Sequence, residues 1–185
     1  MEKSKIVMGI LAAATLTFGA AAKEVKLLTI GNSFADSAFK FLPKVAESAG
    51  DKVIMDRANI GGCPLDKHWK LVEKSEQDPA VKPYYRKYTL RDKLEAQKLR
   101  DLLARGWDIV TIQQASHLSW KPESYMPYAK NLQEYVKKYA PQAELVIQQT
   151  WAYRFDDNRL KSWKMSQREM FDKLVDAYDQ AAAGL

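Results

Sequence analysis

Four short apolar runs, each ending in a glycine or a polar turn, set the strongest limit on how this chain folds. The first is Val25 to Ile30 (Val-Lys-Leu-Leu-Thr-Ile), ending at Gly31. The second runs from Lys52 to Ile60, holds Val53, Ile54 and Met55, and meets Gly61-Gly62. The third and fourth are Asp108 to Gln113 and Glu144 to Gln149. Short apolar runs without alternation read as strands buried on both faces. Helix-length stretches separate them. One runs from the Ser33 turn towards Ala49 and closes on Gly50, with Pro43 expected to kink or divide it. A short helix is expected around Leu65 to Lys74. Leu94, Leu99, Leu102 and Leu103 recur at helical spacing until Gly106 stops them. Tyr128, Leu132, Tyr135, Val136 and Tyr139 line one face of another helix, and Phe171, Leu174, Val175 and Tyr178 do so in the last. Residues 75–89, with Pro79, Pro83, Tyr84, Tyr85 and Tyr88, read as an excursion over the surface. Strands alternating with helices predict a three-layer α/β sandwich around a mostly parallel sheet. After the last helix the next element of such a fold would be a strand. The expectation is therefore one domain, residues 23–185, incomplete at its C-terminus.

The first 22 residues have a different character. Lys3 and Lys5 precede a mostly apolar run from Ile6 to Phe18, followed by Ala20-Ala21-Ala22. That order is a secretory signal peptide, too short for a comfortable membrane span, with the mature protein starting near Lys23. Export follows, to the periplasm or beyond, with no membrane attachment after cleavage. The net charge of +6 is spread among acidic residues without a block of like charge, which leaves a nucleic-acid partner without support. Cys63 is the only cysteine, so no internal disulfide can form. His68 and His117 are the only histidines and show no ligand spacing, so no metal is expected. No phosphate-loop pattern is present, and no nucleotide cofactor is expected.

In parallel α/β sheets, ligands bind at the carboxyl ends of the strands. Four segments fall there: Gly31-Asn32-Ser33-Phe34, Gly61-Gly62-Cys63, Gln113-Gln114-Ala115-Ser116-His117 and Gln149-Thr150-Trp151. A serine on a strand-to-helix turn has an exposed hydroxyl and an N–H near a helix start, where negative charge is favoured. That suits a nucleophile whose attack creates an oxyanion.

The stretch Lys26 to Phe34 resembles the first block of the SGNH (GDSL-like) hydrolases, and is nearest to secreted bacterial members with Gly-Asn-Ser-Phe. Gly-Gly-Cys-Pro-Leu-Asp-Lys-His-Trp (61–69), Trp-Asp-Ile-Val-Thr-Ile-Gln-Gln-Ala-Ser (107–116) and, more weakly, Gln-Thr-Trp-Ala-Tyr (149–153) extend the resemblance. It implies a flavodoxin-like sheet and a serine ester hydrolase. Ser33 would be the nucleophile. Gly62 would supply an oxyanion N–H, with Gly61 beside it, and Gln114 an amide where most members carry Asn. The family's closing Asp-x-x-His block has no counterpart, since no His follows His117. His117 or His68 could act on substrate or substitute as the base. Cys63 reads as a small buried filler. Trp69, Trp120, Trp151 and Tyr153 read either as core or as platforms for a sugar ring.

These readings predict hydrolysis of a carboxylic ester, with an acyl group on a small molecule or carbohydrate as substrate, weak without a base. The alternative is an exported protein that binds a carbohydrate or an anion without catalysis.

Overall fold

The computed structural model describes residues 22–86 and 95–185. The expected signal peptide falls almost wholly outside them, as do Tyr88 and Leu94.

All four apolar runs are strands: β1 (Glu24–Gly31), β2 (Lys52–Asn59), β5 (Ile109–Ile112) and β6 (Glu144–Ile147). A small antiparallel pair, β3 (Tyr84–Arg86) and β4 (Glu95–Gln97), forms a separate two-stranded sheet. The main sheet is parallel throughout in the order β2-β1-β5-β6, with Ile30 beside Ala58 and Ile112, and Ile112 beside Ile147. This is the doubly wound, flavodoxin-like arrangement of a three-layer α/β sandwich. Leu28, Ile30, Val110 and Ile112 are fully buried, which is why no polar alternation marks their runs.

The helices are α1 (Asp36–Ser48), α2 (Leu65–Gln77), α3 (Leu99–Leu103), α4 (Tyr128–Tyr139), α5 (Asn158–Ser162) and α6 (Gln167–Ala183). Helix α1 runs unbroken through Pro43, contrary to the expected division. The ring removes the hydrogen bond that residue 43 would give to the carbonyl of Phe39 and crowds that carbonyl. The helix still closes on Gly50, at φ 82°, where Gly50 N–H meets Glu47 O and Asp51 N–H meets Ala46 O.

Two further expectations need correction. Tyr84 is no surface residue: it is 1% exposed, inside the main core. In α6 the inward stripe is Met170, Leu174, Ala177, Tyr178 and Ala181, while Phe171 points outward. A second, smaller core joins Ala152, Tyr153, Leu160 and Met170, with Phe34, Trp120, Trp163 and Met165 packed on it. It fixes the 151–170 segment beside the turn after β1.

Candidate active site

Three strand ends meet through one side chain. Asn32 is buried, and its Nδ2 donates to the carbonyls of Cys63 and Gln114, each at 3.4 Å. Its Oδ1 accepts the N–H of Phe34 at 3.1 Å. Ala35 N–H reaches Asn32 O at 3.0 Å and Asp36 N–H reaches Ser33 O at 3.3 Å, so the chain turns sharply into α1. Ser33 stands exposed on that turn. Two residues before it, Gly31 is closely packed. A Cβ at Gly31 would lie 3.2 Å from Gln113 Oε1 and 3.3 Å from the Cβ of Ala35.

The second loop is a tight turn closed by Cys63 N–H on Ile60 O at 3.0 Å, with Gly62 at φ 63°. That backbone angle favours glycine. Among the described residues, no protein acceptor takes the N–H of Ser33 or of Gly62, and none bonds the Ser33 hydroxyl. Cys63 packs behind this turn, fully buried, and burial pushes its thiol up to about 11, so it is inert at neutral pH.

Gln114 does something other than expected. It is fully buried, and its Oε1 accepts the N–H groups of Leu65 (3.1 Å) and Ala115 (2.8 Å). Its Nε2 donates to Ser124 O at 2.9 Å and Ser124 Oγ at 3.1 Å. Both amide protons are committed, which leaves none for an oxyanion. The residue is a bracket that ties the start of α2 to the loop after β5. Gln114→Leu is expected to destabilise the fold by about 2–4 kcal/mol, read from urea unfolding, because it strands buried donors. Normal stability with lost activity would instead return the amide to the substrate.

His68 is likewise structural, which corrects its candidacy as a base. It is fully buried, with Nε2 2.9 Å from Gly31 O and Nδ1 3.0 Å from Tyr84 Oη. A carbonyl can only accept, so Nε2 carries the proton and Nδ1 accepts from the tyrosine hydroxyl. Burial pulls its pKa down to about 4, outweighing the bond to Gly31. His117 is exposed at the turn after β5 and bonds to no described residue.

The sequence did not single out the charged network on the other side of the turn. Asp36 Oδ1 accepts from Arg57 Nη1 at 3.0 Å and from Asn59 Nδ2 at 3.1 Å, and Asn59 Oδ1 accepts from Thr29 Oγ1 at 3.0 Å. Its only signal is polar residues at the end of an apolar strand. On the β6 side the surroundings are aromatic. Phe34 lies 4.4 Å from Trp151 and 6.4 Å from Tyr153, ring centre to ring centre. Of the four candidate platforms, Trp69 packs on Tyr135, while Trp120 and Tyr153 pack on Trp163. Trp151 alone is half exposed.

A family model described as a domain of unknown function, DUF4886, matches residues 26–183. The chain belongs to the DUF4886 family. A crystal structure of a DUF4886 family protein from Bacteroides uniformis ATCC 8492 is similar at 31% identity with a TM-score of 0.72. The match covers 86% of this chain and 63% of that one, so this chain spans less than two thirds of its length. A protein from Slackia heliotrinireducens, provisionally described as an SGNH hydrolase, shares the fold at 24% identity and a TM-score of 0.56, over 87% of this chain and 75% of that one. No curated protein matches.

Proposed function

We propose that this DUF4886 protein is a serine hydrolase of the SGNH type that cleaves carboxylic esters, with an acyl group on a carbohydrate as its substrate. The observation that carries the reading is the exposed Ser33 on the β1–α1 turn, held by Asn32 against a Gly62 turn whose N–H is open. Ser33 Oγ attacks the ester carbonyl. The N–H groups of Ser33 and Gly62 stabilise the oxyanion, each worth about 10²–10³ in rate where such donors have been removed elsewhere. The alcohol then leaves carrying the proton given up by Ser33, passed through solvent, and water releases the acyl group as the acid, restoring the Ser33 hydroxyl. The fold shared with the Slackia protein supports this chemistry. The basic start, apolar run and alanines before Lys23 support export, and with it a substrate met outside the cytoplasm.

No described side chain takes the Ser33 proton. Turnover by this chain is therefore slow, lacking base assistance worth roughly 10²–10⁴-fold. That absence is also what favours the second reading, a carbohydrate- or anion-binding protein without catalysis. Release of p-nitrophenol from p-nitrophenyl acetate above the protein-free rate is the expected result for the hydrolase. A chain inert on every ester, acetylated saccharides included, would leave the binding protein.

A further inference from the structure

Beside the Ser33 turn lies a cleft of about 460 Å³ lined by Trp151, Ala152, Gln167, Arg168 and Phe171. Its size falls within the range of small-molecule sites, roughly 300–1,000 Å³. Two of its aromatic rings face solvent: Trp151 is 50% exposed and Phe171 43%. Large exposed aromatics close together are informative where isolated ones are not. Both are held in place. Trp151 leans on Phe34, the residue after Ser33, and Arg168 lies 5.8 Å from the Phe171 ring. The second core fixes the neighbouring Ala152 and Tyr153 against Met170 of α6, so the two walls of the cleft are joined from below.

The polar lining narrows the ligand. Arg168 gives its Nε–H to Asp172 at 2.9 Å, and the terminal amino groups of the guanidinium make no bond among the described residues. The Gln167 amide has no described partner either. A long apolar chain would leave these donors facing hydrocarbon, at a cost for each one desolvated. A phosphate would meet a single guanidinium whose charge Asp172 already balances. A neutral ring with hydroxyls on its edge and C–H bonds on its face satisfies both kinds of lining at once. Its face lies on the indole, and its hydroxyls pair with Gln167 and Arg168.

We infer that the Trp151–Gln167–Arg168–Phe171 cleft is a sugar subsite that holds the pyranose ring carrying the ester cleaved at Ser33. Its place in turnover rests on the hydrolase reading, but its binding of sugar does not. The contact of Phe34 with Trp151 links the subsite to the nucleophile turn.

The test uses a catalytically silent protein, so that binding is measured without turnover. Ser33→Ala protein is titrated calorimetrically with xylotetraose, cellotetraose and chitotetraose. At least one is expected to bind, at least tenfold more weakly when Trp151→Ala is added and about three- to tenfold more weakly with Gln167→Ala. Phe171→Ala, on the outer face of α6, gives a further reading should Trp151→Ala fail to fold, and melting curves check each variant. Failure of all three saccharides to bind overturns the subsite, as does binding that ignores both Trp151→Ala and Gln167→Ala. Ester hydrolysis that depends on Ser33 without saccharide binding would sink the subsite and spare the nucleophile. Saccharide binding that depends on Trp151, with no hydrolysis of any ester, would keep the sugar site and sink the hydrolase.

Discussion

Ser33→Ala is expected to return the hydrolysis of p-nitrophenyl acetate to the protein-free rate. Every step assigned to the chain begins at that hydroxyl, and alanine removes it without touching the scaffold. Ser33 is exposed and its hydroxyl bonds to no described residue, so the fold should melt at the same temperature. What the variant keeps, the open N–H groups of Ser33 and Gly62, polarises a carbonyl but has no oxygen to deliver. The wild-type rate that disappears is itself small. An activated ester needs little help with its leaving group, and no described side chain is placed to take the serine proton, which forfeits roughly 10²–10⁴-fold. Gly62→Ala tests the other half of the arrangement. At φ 63° a Cβ costs about 1–2 kcal/mol, and relief of that strain swings the N–H away, for an expected loss near tenfold. A rate that persists in Ser33→Ala means that the ester is cut elsewhere. If His117→Ala is as inactive as Ser33→Ala, the exposed histidine after β5 is the base, and the slow-turnover argument is wrong.

The four strands were legible because β1 and β5, at the centre of the sheet, are buried along most of their length, and the edge strands β2 and β6 still carry short apolar runs that end at a polar or glycine turn. Residues 84–86 gave no such signal. β3 is three residues long, and Tyr84 is buried by packing in the main core, where its hydroxyl bonds to His68, sixteen residues earlier. In α6 the neighbours Met170 and Phe171 offer the sequence two apolar stripes a step apart. Ala177 and Ala181, small enough to pack closely, decide for the stripe of Met170. Pro43 reads as a break only when the lost hydrogen bond is counted without the packing of α1 on its strand. At the site, sequence order brought Ser33, Gly62 and Gln114 to one rim but could not say where each side chain is spent. Gln114 looked like a donor because an amide at a strand end is free on paper. Its partner, Ser124, lies in a turn ten residues on that no periodicity marks. Asn32, by contrast, was visible within the first block, and its role as the bracket became clear only when both carbonyls it meets were placed.

Protein stability is expected to fall steadily as the pH drops from about 6.5 to about 4, with His68 responsible for a large share. In the unfolded chain this imidazole binds a proton near 6.5; in the fold, burial holds its pKa down to about 4. Between those values the unfolded state binds the proton and the folded state refuses it, so acid favours unfolding. The contribution is whole above 6.5, shrinks through the window, and is gone once the folded protein also protonates near 4. The gap between the two pKa values corresponds to about 3 kcal/mol, a large fraction of a small domain's stability. Urea midpoints measured at pH 7.5, 6.5, 5.5 and 4.5 give the slope. Carboxylates titrate near the lower end of this range, so the wild-type slope alone cannot isolate the histidine. His68→Gln supplies the comparison. Its amide can still donate to Gly31 O but takes up no proton, so it should start less stable at pH 7.5 and lose about 3 kcal/mol less on the way down. Parallel slopes in the two proteins would show that His68 contributes nothing to the acid sensitivity. The same bond ties stability to the site. Nε2–H of His68 fixes the carbonyl of Gly31, two residues before Ser33, at 2.9 Å. The folded protein keeps this imidazole neutral down to about 4, so between pH 6.5 and 4.5 the bond holds, and the esterase activity of the folded protein should follow the same pH profile in His68→Gln as in the wild type, although the two differ in the pH dependence of their stability.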